Sequence, residues 1–314
     1  MRMKKILFDV LIVAILGFVS FVTADPINKA KAAATTIQFE LGIKANPFAT
    51  PTIVNLIRED STTQVYQVKL DHAGAGRISL LMKGPKGFLY KQTRDMHALM
   101  IISGLFTGEK SVNLIGDFAD KVIIGFEYPY NADDFQKDPG TILQFVRKTP
   151  AQIALAITWL TRQPWMQERG LSVMGVSLGG VFMPSGLHVT QLMGIEIEKT
   201  IFVCTGVNLT AILKENLKEY VHPLLLGPIV SALVAPTLLM DPKQHIPELK
   251  GPSLVIQADH DTVIPQESQV ELWSLLNGPK ENVLLPGPHV NPDQTELISL
   301  IQKNVIEALN YVHN

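Results

Sequence analysis

Leu171-Ser172-Val173-Met174-Gly175-Val176-Ser177-Leu178-Gly179-Gly180 says more about this chain than any other ten residues. A short apolar run rich in β-forming residues drops directly into Gly175-Val176-Ser177-Leu178-Gly179, and Gly180 to Met193 reads as a helix, so the order is strand, sharp turn, helix. A serine on such a turn is held in a strained backbone conformation that lifts its hydroxyl above the sheet. Glycine stands two residues to either side because a β-carbon at Gly175 or Gly179 would collide with the neighbouring strand or helix. The helix that follows turns its free backbone N–H groups toward any negative charge forming there. The turn therefore offers a nucleophile and half of an anion site together. Alone, the pentapeptide is equally a glycine-rich connection with an ordinary serine, and only partners elsewhere in the chain separate the two.

Working outward, Pro150 to Leu160 is helical in pattern, with Ala, Ile, Leu and Trp159 on one side. Ala98 to Ser103 and Lys121 to Glu127 are continuous apolar runs, as strands covered by helices on both faces read. Gln64 to Leu70 alternates like a half-buried strand, and Arg77 to Met82 follows Gly74 and Gly76, which predicts a hairpin. Downstream, Thr200 to Cys204, Ser253 to Gln257 and Asn282 to Leu285 read as short buried strands, with helices at Gln266 to Leu276 and Asp293 to Val312. Asn291-Pro292 has the form of an N-cap and first-turn proline for that last helix. Asn28 to Thr36 reads as a short helix or a loose lead-in, and no element is readable from there to Pro51. Strands alternating with helices predict an α/β fold: a doubly wound, mostly parallel sheet with any antiparallel strands at its beginning.

Residues 207–250 interrupt the alternation. Leu224 to Met240 is apolar but introduced by Pro223 and broken by Pro228 and Pro236, which argues against a membrane span and for short packed helices. The segment is expected to form a small helical cap over the site, an extra buried helical pair being the other reading.

Composition bounds the rest. One cysteine rules out an intramolecular disulfide, and the formal net charge of −2, with both signs mixed and no basic stripe, excludes nucleic acid as a natural partner. Residues 25–314 are long enough for one α/β domain with a large core. Ahead of them, Arg2, Lys4 and Lys5 precede an apolar run from Val10 to Val22 that closes on Val22-Thr23-Ala24 and Asp25-Pro26. That pattern predicts an export signal over residues 1–24, cleaved after Ala24, and a mature protein that is periplasmic or secreted without stable membrane insertion; an uncleaved anchor is the alternative. The run is short for a full bilayer span.

Ligands of such sheets bind beyond the carboxyl ends of the strands. Two further loops leave strands there: Ala258-Asp259-His260-Asp261-Thr262-Val263-Ile264-Pro265 and Pro286-Gly287-Pro288-His289. A serine hydroxyl is a feeble nucleophile near neutral pH, so a histidine must take its proton and a carboxylate must orient the imidazole. Of eight histidines, only His289 combines a strand end with a Gly-Pro loop; His260 lies between two carboxylates, poorly placed to reach Ser177. Asp259 and Asp261 alternate with His260, so one should fix the loop backbone while the other faces the histidine. The second half of the anion site is expected in Ser103-Gly104-Leu105-Phe106-Thr107-Gly108, where glycines let backbone N–H groups approach a ligand. This chemistry calls for no metal and no organic cofactor.

From about Gln64 onward these residues resemble the α/β-hydrolase superfamily: Gly175-Val176-Ser177-Leu178-Gly179 as nucleophile elbow, Asp261-Thr262-Val263-Ile264-Pro265 as acid loop, Gly287-Pro288-His289 as histidine loop. The acid of that family commonly stands a few residues before a Val-Pro or Ile-Pro pair, so the resemblance favours Asp261 over Asp259, and it implies oxyanion N–H groups from Leu178 and Leu105. Ile153 to Leu160, Gln163-Pro164-Trp165 and the Ser-Leu-Gly-Gly continuation are most similar to the branch of dienelactone hydrolases, acetyl xylan esterases and prolyl oligopeptidase catalytic domains. Many members have His-Gly where this chain has Ser103-Gly104, and dienelactone hydrolases use cysteine in place of Ser177. The resemblance implies a serine hydrolase acting on a small-molecule carboxylic ester through an acyl-enzyme. A serine peptidase and a non-catalytic binding protein on the same fold are the alternatives. Oligomeric state is not legible.

Overall fold

A computed structural model describes residues 29–310 except 45, 105–106, 117–120, 131–133, 135–137 and 139. The expected export signal and Leu105 lie outside the described residues. Nine strands form one sheet: β1 (Thr50–Glu59), β2 (Thr63–His72), β3 (Gly76–Pro85), β4 (Met96–Ile102), β5 (Lys121–Glu127), β6 (Met166–Val176), β7 (Thr200–Val203), β8 (Ser253–Ala258) and β9 (Lys280–Leu285). Their spatial order is β1-β2-β3-β5-β4-β6-β7-β8-β9. Pairing is antiparallel from β1 through β3 to β5 and parallel from β5 to β9, so the antiparallel strands come first, as expected.

The helices are α1 (Lys29–Glu40), α2 (Gly140–Leu160), α3 (Leu178–Leu192), α4 (Leu209–Leu217), α5 (Pro223–Val234), α6 (Pro242–His245), α7 (Gln266–Leu275) and α8 (Thr295–Asn310). Along β4, Ala98, Met100 and Ile102 join the core under α1, α2 and α3, while Leu99 and Ile101 join a second core with Leu297, Ile301, Val305 and Leu309 of α8. Both faces are thus buried, which is why the central strands lack polar alternation.

Five elements differ from expectation. β9, expected as a buried strand, lies at the edge of the sheet and is buried only at Leu285, because no further strand covers its outer side. β1 is exposed at every position but Ile53, so it carries no hydrophobic alternation to read, and its pairing with β2 shifts register between Pro51 and Ile53 and between Leu56 and Arg58. α1 continues to Glu40, beyond the expected lead-in. α2 starts at Gly140 rather than Pro150; the proline sits inside the helix, with the neighbouring Thr149 hydroxyl donating to the Phe145 carbonyl at 2.8 Å. Asn291 does not cap α8: its side chain accepts from Asp293 N–H and its N–H donates to Gln294 Oε1, a turn of its own that delays the helix to Thr295.

Residues 207–250 are helical. α4 and α5 pack on each other around Leu217, Val221 and Val230, a small core of their own. The 3-10 turn Ala235–Met240, α6 and the 3-10 turn Ile246–Glu248 pack instead against α3. Covered on both sides, α3 is buried from Gly179 to Thr190. Its polar residues find partners inside: Ser185 Oγ donates to Phe182 O, Thr190 Oγ1 to Gly186 O, and His188 Nδ1 meets His245 Nδ1 at 3.1 Å. His245 Nε2 faces the Leu239 carbonyl, which can only accept, so His245 is protonated there and takes His188 Nδ1–H at its other nitrogen. Burial above all lowers both histidines, His245 to about 4, and Glu248 partly offsets this at His188.

Candidate active site

The register sets the site. Ile102 pairs with Gly175, Val176 with Val203, Val203 with Ile256, and Ala258 with Leu285, so β4, β6, β7, β8 and β9 end along one edge of the sheet. The loops that begin at Ser103, Ser177, Cys204, Asp259 and Pro286 therefore start side by side, though they span most of the chain.

Ser177 has φ 52° and ψ −118°, a conformation that costs a non-glycine residue about 1–3 kcal/mol. It persists because its surroundings leave no alternative. A β-carbon on Gly179 would lie 1.7 Å from the Ile102 carbonyl oxygen, and one on Gly175 2.7 Å from Gly180 Cα, so strand and helix can approach the turn only over glycine. Ser177 N–H donates to Val203 O, and Thr205 Oγ1 donates to Ser177 O at 2.9 Å, which ties the elbow to β7 and the loop after it.

Ser177 Oγ lies 2.8 Å from His289 Nε2, and His289 Nδ1 lies 2.8 Å from Asp261 Oδ2. The carboxylate can only accept, so Nδ1 carries the imidazole proton and the Nε2 lone pair points at the serine hydroxyl. The Asp261 side chain is fully buried, and its other oxygen accepts from the N–H groups of Val263 and Ile264, both at 2.8 Å, so the charge is compensated by the loop it sits in. Asp259 does the other task anticipated for the pair. Its carboxylate accepts from Gly287 N–H at 2.8 Å and from His260 Nδ1, and the Gly287 bond is the main cause that holds it below the usual carboxylate range. Asp259 thus fastens the acid loop to the histidine loop while Asp261 stands behind the imidazole.

The nearby thiol is no rival nucleophile. Cys204, at φ 44°, is buried, and burial pushes its thiol up to about 12, so it stays protonated at neutral pH. Among the described residues, no group of three or more His, Cys, Asp or Glu could hold a metal ion.

On the other side of the serine, Leu178 opens α3, so its N–H is among the first-turn groups that have no acceptor within the helix. Leu105, the other expected donor, lies outside the described residues, but the braces of its loop are visible. Tyr128 Oη donates to Ser103 O at 2.7 Å and Ser103 Oγ to Gly108 O at 3.0 Å. The Glu127 carboxylate accepts from the N–H groups of Tyr128 and Glu109. Burial, with the Glu109 charge adding to it, raises Glu127, and burial holds the Tyr128 phenol protonated. Sequence reasoning missed both residues; the only signal was their place at the end of a buried strand.

No family model and no curated protein sequence matches this chain. Solved structures do. Acetyl xylan esterase 1 from Thermoanaerobacterium sp. JW/SL YS485 superposes with a TM-score of 0.63 at 13% identity, covering 93% of this chain and 96% of that one. An acetyl xylan esterase from Paenibacillus sp. R4 gives 0.59 at 13% identity over 95% and 99%. A prolyl endopeptidase gives 0.57 at 13% identity, over 82% of this chain but only 40% of the peptidase. At such identities the likeness is one of fold, and the fold is that of the α/β-hydrolases with a mostly parallel sheet.

Proposed function

We propose that this chain is a serine hydrolase that cleaves carboxylic esters through an acyl-enzyme. The single observation that carries the reading is the continuous path from Ser177 Oγ through His289 to buried Asp261, two contacts of 2.8 Å each. In the first half-reaction His289 Nε2 takes the hydroxyl proton as Ser177 Oγ bonds to the substrate carbonyl carbon. The resulting imidazolium is stabilised by Asp261 and hands the proton to the departing alcohol. In the second, water attacks the acyl-serine by the same route. The negative oxygen of each tetrahedral intermediate is received by the N–H of Leu178, aided by the dipole of α3, and by the N–H of Leu105. The substrate is a small-molecule ester, and the reaction needs neither metal nor organic cofactor.

The structural neighbours, esterases and a prolyl endopeptidase alike, support a serine hydrolase in general, and the ester rather than the peptide is part of the proposal. With p-nitrophenyl acetate and butyrate the parent protein is expected to turn over and to label with a fluorophosphonate probe at Ser177. Equal labelling of Ser177→Ala, or preference for a proline-containing peptide amide over both esters, sinks the reading. We further propose export, with cleavage after Ala24, on the basic and apolar pattern of residues 1–24; the mass of the protein recovered from its native compartment tests this.

A further inference from the structure

Thr205 stands just past the end of β7 and has no exposed surface. Its hydroxyl donates to the Ser177 carbonyl at 2.9 Å, and the same oxygen accepts from Gly180 N–H at 3.0 Å. One donor belongs to the helix that begins at the elbow and the other to a separate loop. That loop is confined on either side of the threonine. Cys204 sits in the left-handed region at φ 44°, and a β-carbon on Gly206 would lie 2.3 Å from Ser268 Oγ. Buried Gln257, two residues before Asp259 on β8, donates from Nε2 to Thr205 O at 3.3 Å. A β-carbon on Gly180 would lie 2.5 Å from Thr205 Cγ2 and 2.6 Å from Thr205 Oγ1. With any larger residue at 180, Thr205 could not stand where its hydroxyl reaches the elbow.

We propose that Thr205 is a positioning residue for the oxyanion site. The inference rests on the serine hydrolase reading and adds to it the group that aims the Leu178 N–H. The peptide bond between Ser177 and Leu178 is planar, and its C=O and N–H point in opposite directions and turn as one body. Whatever fixes the Ser177 oxygen therefore fixes the Leu178 hydrogen. An oxyanion donor is effective when it is already aimed at the place where charge develops, so that nothing has to turn during the reaction. Ser177, at φ 52° and ψ −118°, does not hold this plane by its own preference, since serine avoids that conformation. The Gly180 bond lies in the first turn of α3, where helices fray. The Thr205 hydroxyl, buried and tied to β8, is the constraint that comes from outside the helix. Because it acts through the backbone, its loss should leave the Ser177, His289 and Asp261 contacts in place and weaken only the hold on the charged intermediate.

Thr205→Ala and Thr205→Ser both lack the methyl group and differ from each other by the one hydroxyl. With p-nitrophenyl butyrate, Thr205→Ala is expected to lose roughly tenfold in kcat with KM within about twofold of the parent, while Thr205→Ser stays near the parent. A trifluoromethyl ketone supplies a second readout: Ser177 Oγ bonds to its carbonyl carbon, the hydroxyl proton passes to His289, and the ketone oxygen becomes a bound oxyanion. Thr205→Ala should bind it roughly tenfold more weakly, and Thr205→Ser nearly as well as the parent. Should Thr205→Ala fail to fold, Thr205→Val carries the same expectation. Parent-like kcat in the alanine variant, equal losses in the alanine and serine variants, or a fall in kcat without weaker binding of the ketone overturns the inference and leaves the hydrolase reading standing. A parent inactive on both esters, or one no faster than Ser177→Ala, overturns the two together.

Discussion

α3 and α5 are both strongly apolar helices, and the molecule treats them in opposite ways. α3 holds Ser185, His188 and Thr190 yet is buried from Gly179 to Thr190; α5 holds nothing charged, yet among its residues only Val230 is buried. Composition therefore does not set burial. Burial follows from what lies on a helix's outer side: α3 has the sheet beneath it and the 235–248 segment above, whereas α5 meets chiefly α4 and the 3-10 turn that follows it. The lesson is that the apolar character of α3 serves one continuous core, whereas that of α5 serves on one side the small core it shares with α4 and leaves Leu224 and Leu225 exposed.

Substitutions along the two helices put this contrast at risk. The largest effect is expected where α3 begins. Ser177→Ala should lower ester turnover by roughly 10⁴-fold or more at unchanged thermal stability, measured with p-nitrophenyl butyrate; loss of folding instead would mean that the serine is structural. Leu187→Ala, inside α3 with no exposed surface, should cost about 2–5 kcal/mol in urea unfolding.

Next in size is the histidine pair that joins α3 to its cover. His245 has a folded pKa of about 4, below its ordinary 6.5, so the unfolded chain takes up the proton first as pH falls. Stability is complete above about 6.5 and drains away toward about 4, by up to about 3 kcal/mol. His245→Gln should flatten that part of the profile of melting temperature against pH; an unchanged acid slope would show that the pair does not titrate with unfolding. Tyr128→Phe removes the bond to the Ser103 carbonyl and should lower kcat several-fold, about 1 kcal/mol, with the Michaelis constant little changed. Smallest of all, Leu225→Ala on open α5 should change unfolding by under about 0.5 kcal/mol. A loss comparable with that of Leu187→Ala would mean that α5 is part of the core and that its exposure has been misread.

How much of this was legible follows the same division. The elbow could be read because two glycines are demanded locally, at Gly175 and Gly179, and the acid and histidine loops because each leaves a short apolar strand, β8 buried throughout and β9 only at Leu285. Asp261 and Asp259 divided as their alternation with His260 suggested, one toward the imidazole and one onto the Gly287 N–H. What escaped depends on contacts distant in sequence. Nothing near His188 announces His245, and nothing near Ser103 announces Tyr128. The start of α2 escaped because Pro150 reads as a first-turn residue, and that of α8 because Asn291 has the form of a cap while spending its side chain on Asp293. Whether 207–250 forms a cap or a packed pair could not be read because the segment divides: α4 and α5 share a small core of their own, and the remainder packs on α3.

The outermost strand carries a consequence for how this protein behaves at high concentration. β1 leaves one row of peptide groups open to recruitment by another chain, next to Val54, Leu56 and Ile57, the kind of border along which filaments grow. Two slips of register, Pro51 at the start and the charged pair Arg58 and Glu59 at the end deny a newcomer a long straight template. Irregularity at this border works against growth from chain to chain: a tidier strand would make a stickier molecule.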